Sequence, residues 1–95
     1  MSTTQQRLES AQPDIDREIR AKLCAMIQQY HEREEELPTT VHELIDQNFD
    51  ECWSMIWRVL SDHAGDDYDD AVLAVWHTDI LLELKLENID LVVVA

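Results

Sequence analysis

DHAGDDYDDAVLAVWHTDILLELKLENIDL, residues Asp62–Leu91, contains the only glycine of the chain, Gly65, set among Asp62, Asp66, Asp67, Asp69 and Asp70. Beyond Asp70 neither Gly nor Pro interrupts a long apolar and acidic run. A glycine followed by aspartates and then by such a run marks the end of one helix and the start of another. Gly65 is the expected C-cap, and Asp66 or Asp67 the expected N-cap of the last helix. The inner face of that helix is expected to carry Tyr68, Val72, Val75, Trp76, Ile80 and Leu84, with Leu73 as a further candidate. From Ile80 to Leu86 the pattern ILLELKL shifts toward alternation, compatible with either a buried helix or a strand. The tail Ile89-Asp90-Leu91-Val92-Val93-Val94-Ala95 is β-prone and reads as a short strand or as an apolar flap that packs on a second copy.

Upstream of this stretch, helical spacing dominates. Residues 1–10 are polar and read as a flexible N-terminus, followed by a single helical domain over 11–95. Pro13 suits the first turn of a helix, with Ser10 or Gln12 near the cap and Asp14, Asp16 and Glu18 at its positive end. Ile15, Ile19, Leu23, Met26, Ile27 and Tyr30 recur at three- and four-residue steps, which predicts a helix from about Asp14 to Glu35. It ends in Glu32, Glu34, Glu35 and Glu36, an unfavourable charge run at the negative helix end. Such a run is either a solvated fraying end or a functional patch. Leu37-Pro38 breaks the helix, and Thr40 with Glu43 matches a capping box for a short helix from Val41 to Gln47 that buries Val41, Leu44 and Ile45. Asn48 either bends the chain or lets this helix continue. Phe49, Cys52, Trp53, Ile56, Trp57 and Leu60 then form an apolar stripe ending before Gly65.

The composition limits the partners. With 95 residues there is one domain at most, and its core is small. An apolar fraction of 45% with three Trp argues against disorder. The net charge is −14, and all of it falls in 31–95, because four acids and four bases cancel within 1–30. Direct nucleic-acid binding is excluded as a reading, since phosphate contacts need Lys and Arg. An anionic membrane surface is disfavoured for the same reason. Met1-Ser2-Thr3-Thr4-Gln5-Gln6 has no signal-peptide character, and no apolar run approaches the ~18 residues of a membrane span. The expectation is a soluble cytoplasmic protein. Cys24 and Cys52 lie inside helical patterns and read as buried free thiols.

Chemistry-bearing patterns are few. His63 sits between Asp62 and Asp66, but the spacing fits neither the calcium loop nor a zinc site, so no metal and no cofactor are expected. There is no phosphate cradle and no nucleophile elbow, so an enzyme is not the reading. Trp53, Trp57 and Trp76 lie on apolar stripes and read as core rather than as a recognition surface. His42, His63 and His77 neighbour acids and read as their solvated partners. The acids themselves remain. Most fall where the apolar stripes point outward, and acids every three or four residues on two packed helices approach the charge density of duplex phosphates, one per ~1.7 Å of axis.

Two stretches carry a family resemblance. The segment 66–91, with its acidic opening, Trp76-His77-Thr78-Asp79-Ile80 and the closing Ile89-Asp90-Leu91, resembles the central part of the Ocr-type antirestriction proteins of phage, which are helical DNA mimics. Val41-His42-Glu43 to Leu60 has a similar cadence. The chain departs from that family in closing on Val94-Ala95 instead of an acidic tail. Small acidic anti-CRISPR proteins look similar at this level. The resemblance implies a dimeric decoy that occupies the DNA-binding groove of a restriction enzyme or another defence protein.

The expectation is therefore an all-α chain, a small bundle of three to four helices with a short C-terminal β-strand as an option, forming a homodimer through apolar surface near the C-terminus. Its function would be inhibition of a basic DNA- or RNA-binding protein. Asp62, Asp66, Asp67, Asp69, Asp70, Asp79, Glu83 and Glu87 would carry the binding, with Glu34, Glu35 and Glu36 as a second patch. The competing reading is a regulatory subunit or antitoxin-like module whose interface is the Trp stripe and whose acids only solubilise.

Overall fold

A computed structural model describes residues 3–87, which form four helices and no strand: α1 (Thr4–Glu32), α2 (Val41–Gln47), α3 (Phe49–Ala64) and α4 (Asp70–Glu87). The all-α class is as expected. Ile80–Leu86 is helical, and the strand or flap expected over 89–95 lies outside the described residues.

α1 starts ten residues earlier than its apolar spacing predicts. Thr3 Oγ1 accepts from Gln6 N (3.2 Å) and Gln6 Oε1 accepts from Thr3 N (3.0 Å), a reciprocal capping box at T-x-x-Q. Pro13 consequently lies inside the helix and not in its first turn. Its missing N–H leaves the Glu9 carbonyl without an i+4 donor, a defect of ~3 kcal/mol in a helix interior. Burial of Leu8, which has no exposed surface, offsets part of that cost at ~1.5–3 kcal/mol for a full side chain. The end of α1 is a Schellman turn: Glu34 takes the left-handed conformation (φ 56°), its N–H donates to His31 O, and Glu35 N–H donates to Tyr30 O. Glycine usually fills that position, so a glutamate there hid the helix end at Glu32 from the spacing argument.

Side-chain bonds fix how the helices run. At one end Arg7 Nη1 donates to Ala64 O (2.6 Å), Asp69 N donates to Thr4 Oγ1 (2.9 Å) and Trp76 Nε1 donates to Gln5 Oε1 (2.8 Å). At the other, Tyr30 Oη donates to Gln47 Oε1 (3.1 Å) and accepts from Asn48 Nδ2 (2.8 Å), while Lys85 Nζ reaches Asp46 Oδ1 (3.3 Å). α1 and α3 are therefore antiparallel, α4 runs in the direction of α1, and α2 closes the far end. The body measures 48 × 24 × 21 Å. The 29 residues of α1, at ~1.5 Å each, nearly span its long dimension.

The core lies between these three long helices. Leu8, Ile15, Ile19 and Leu23 of α1 meet Cys52, Ile56, Val59, Leu60 and Ala64 of α3, with Val41, Leu44 and Ile45 of α2 at the far end. α2 is capped as expected by Thr40 Oγ1 on Glu43 N (3.2 Å), although the Glu43 carboxylate bonds Thr39 N and Oγ1 instead of closing the box on Thr40. Asn48 both ends α2 and begins α3. On α4 the buried line is Leu73 and His77, flanked by half-buried Val72, Trp76, Ile80, Leu81 and Leu84. Val75, expected inside, is 60% exposed. α4 is apolar almost all round, so its sequence does not fix which side faces the core. The contacts of His77 with Trp53 and Trp57 of α3, and the burial of Leu73, settle the register instead.

Candidate partner-binding surface

The acids cluster where helix ends and outward faces put them. Asp62 lies in the last turn of α3, and Gly65 ends that helix at φ 87° with its N–H on Ser61 O, as its C-cap role predicts. Asp66 and Asp67 occupy the turn, and Asp70 opens α4. The cap is neither Asp66 nor Asp67. Asp69 Oδ1 accepts from Ala71 N (2.9 Å), and the bond from Asp69 N to Thr4 places this residue, two or three positions later than expected, at the helix start. All five carboxylates are exposed.

Asp79 and Glu83, one turn apart on α4, line a groove against α1 with Asp16, Gln5, Gln12, Val75, Trp76 and Ile80. Arg20 is the one base that borders its continuation, beside Asp16, Ile19, Ile80, Glu83 and Leu84. Glu87 closes α4. Glu34, Glu35 and Glu36 are exposed beyond the end of α1, at the opposite end of the 48 Å body from the Asp62–Asp70 group. The fold thus brings the aspartates of the α3–α4 turn together, places Asp79 and Glu83 apart from them along α4, and keeps the glutamate patch separate.

Few of these charges are neutralised inside the chain. The ion pairs among the described residues are Arg17–Asp14 (3.6 Å), His42–Asp46 (3.0 Å), His63–Glu18 (2.7 Å) and Lys85–Asp46 (3.3 Å). None involves Asp62, Asp66, Asp67, Asp69, Asp70, Asp79, Glu83, Glu34, Glu35 or Glu36. Asp62 is the least isolated, since it shares a groove on the α1–α3 side with Lys22 and Arg58. Within 3–87 there are 20 of the 21 acids and all seven bases, a net of −13. Spread along 48 Å this is one net charge per about 3.7 Å, close to the ~3.4 Å per phosphate of a single DNA strand.

The aromatic residues are arranged differently from the expected core. Trp53 is 43% exposed and Phe49 equally so, whereas Trp57 and Trp76 are half-buried. The Trp53 and Trp57 rings stack at 5.5 Å with 5° between planes, and Lys85 Nζ lies 5.5 Å from the Phe49 ring centroid. His77 is not a solvated partner of Asp79. It is 3% exposed, packs 4.6 Å from Trp53 and 5.7 Å from Trp57, and hydrogen-bonds Trp53 O through Nε2 (2.9 Å). A carbonyl can only accept, so the proton is on Nε2. A histidine among apolar residues gave no signal that it was the buried one. His42 and His63 do pair with acids, although the partner of His63 is Glu18, 45 residues away, and not its neighbours in sequence.

Among the described residues no group of three or more His, Cys, Asp or Glu could hold a metal ion, and no helix is long and apolar enough to cross a membrane. The thiols differ from each other. Cys52 is buried, as expected, while Cys24 is exposed on the outer side of α1. Burial, and then the Glu51 charge, pushes the Cys52 thiol up to about 11. In native protein, Cys24 should therefore be alkylated quickly and Cys52 only on unfolding, as peptide mass spectrometry would read. Because the folded thiol holds its proton above the ordinary value of 9.0, stability should fall as pH rises from about 9 to about 11. Equal labelling of both cysteines would contradict this packing.

Compared with protein-family profiles, with curated proteins and with solved structures, the chain matches none.

Proposed function

We propose that this chain is an acidic inhibitor that presents carboxylates in place of phosphates to the basic surface of a DNA- or RNA-binding protein, as Ocr-type antirestriction proteins and small acidic anti-CRISPR proteins do. The observation that carries this reading is the unpaired charge: one net negative charge per about 3.7 Å of a rod-like body, with the aspartates of the α3–α4 turn in no ion pair among the described residues. Net charge by itself also keeps a chain soluble, but acids left unpaired on adjoining turns concentrate that charge on one part of the surface. Against a basic cleft they would raise the on-rate by steering and would compete with nucleic acid for the same contacts.

The test is capture from a bacterial lysate by wild type and by a chain carrying Asp66→Asn, Asp67→Asn, Asp69→Asn and Asp70→Asn. Asn caps a helix as well as Asp, so the fold is kept. The variant should hold its partner about tenfold more weakly or worse, since each exposed pair contributes ~0.2–1 kcal/mol. High salt or added DNA should release the partner from wild type. A partner held equally by both chains, whatever the salt or DNA, would sink the proposal.

A second reading is supported by Trp53 and Phe49, each 43% exposed on one side of α3. An interaction module with a Trp-lined interface would keep its partner in high salt and lose it on Trp53→Ala, the reverse of the pattern above.

A further inference from the structure

α4 carries a second apolar face that nothing among the described residues covers. Val75, Leu82 and Leu86 are 60%, 54% and 73% exposed. At about 100° per residue they fall within about 40° of one another, on the side of α4 away from Leu73 and His77. The stripe runs over the 12 residues from Val75 to Leu86, about 16 Å or three helical turns. Asp79 lies between Val75 and Leu82, and Glu83 beside it on the side toward α1. Across the groove Asp16 adds a third carboxylate, and Val75 and Trp76 join the groove to the stripe.

An apolar stripe three turns long, bordered on one side by carboxylates, fits one kind of occupant closely. We infer that the outer face of α4 and the α1–α4 groove receive a basic amphipathic helix of a protein partner. Its apolar residues, at helical spacing, would meet Val75, Leu82 and Leu86, and its Lys or Arg would meet Asp79, Glu83 and Asp16. The inference rests on the reading that the acids of this chain meet a basic protein, and it adds an apolar, salt-resistant contact which charge mimicry alone lacks.

Charge argues against the other occupants. A two-fold contact between copies sets the same patch against itself. It would oppose Asp79 and Glu83 to their own counterparts; Lys85 is turned to Asp46 and Phe49, and Arg20, beside Glu83 on the groove's continuation, is a single base against the three carboxylates Asp79, Glu83 and Asp16. The groove encloses about 260 Å³, below the ~300–1,000 Å³ of small-molecule sites.

The probes are two synthetic peptides of identical composition, Leu and Lys at helical spacing in one and scrambled in the other, titrated into the full chain by calorimetry and ¹⁵N chemical-shift mapping. The amphipathic peptide should bind about tenfold or more tightly than the scrambled one, shift α4 and α1 resonances, and keep part of its affinity in high salt. Leu82→Ser with Leu86→Ser, both exposed and neutral, should abolish that advantage while leaving helix content unchanged. Asp79→Asn with Glu83→Gln should weaken binding chiefly at low salt. Equal binding of the two peptides would overturn the site while leaving the acidic-surface reading intact. Binding of neither would overturn both. Sedimentation showing a dimer that Leu82→Ser dissociates would give the stripe to a second copy and overturn the inference.

Discussion

Leu8→Ala should remove about 2–5 kcal/mol of folding stability, the range for a buried leucine truncated to alanine. A chain of 95 residues has roughly 5–14 kcal/mol in total, at ~0.05–0.15 per residue. One methyl-bearing side chain in the first ten residues therefore decides whether much of the fold survives. The reason is positional. Leu8 has no exposed surface, follows Arg7 directly and lies one turn from Thr4, the two residues that hold Ala64 O and Asp69 N. Removing its side chain leaves a cavity where α1 meets the end of α3 and the start of α4. Urea unfolding, followed by helix ellipticity and by Trp fluorescence, reads the change. The same titration on Gln12→Ala, an exposed position in the same helix, should move by no more than about 0.5 kcal/mol. If Leu8→Ala behaved like that control, the first turns of α1 would not be packed, and residues 1–10 would be the flexible arm that their polarity suggests.

That contrast shows where sequence patterns suffice. Within 14–32, within 41–47 and along 49–64, apolar residues recur at three and four, and the helices are where the spacing puts them. Residues 4–10 contain a single buried apolar side chain, Leu8, which cannot establish a period. The signal that did exist was local: Thr3 and Gln6 three apart, a capping pair. Pro13 outweighed it, because a proline is far more often at a helix start than nine residues inside. The register of α4 failed for the opposite reason. Too many positions are apolar for any one face to stand out, so tertiary contact chose between Val75 and His77.

The acids were legible as exposed and unpaired, since they fall outside the apolar stripes, but their grouping was not. Nothing in the sequence separates Glu34, Glu35 and Glu36 from the aspartates of the α3–α4 turn by the length of the molecule. That follows only from α1 running antiparallel to α3. Nor does sequence alone show that Asp69 caps α4 while donating its own N–H to Thr4, a residue 65 positions earlier. The acidic turn is thus built on bonds from the N-terminal helix, a long-range dependence that no local pattern encodes.

Gly65→Ala is the substitution that tests this dependence. At φ 87° and ψ −177° the backbone lies in a region open almost only to glycine, so an alanine there costs about 1–3 kcal/mol. The added Cβ would also stand 3.1 Å from Arg7 Nη1, which already donates to Ala64 O at 2.6 Å. The guanidinium can retreat, but retreat weakens the bond that ties α1 to the end of α3. The expected result is a chain destabilised by about 2–4 kcal/mol, with amide exchange raised first at Ala64, Asp69 and the first turn of α1. Lys at position 7 in the Gly65→Ala background, shorter and without the planar fork, should recover part of the loss if crowding contributes, and none if backbone strain is the whole effect. The aspartate-to-asparagine variant leaves all these contacts in place and should unfold like wild type. Loss of a partner in that variant would then be a loss of charge, whereas loss in Gly65→Ala would be a loss of the turn that holds the charges in position. A Gly65→Ala chain as stable as wild type would show that the turn adopts another backbone conformation, and the aspartates would no longer stand on a fixed frame.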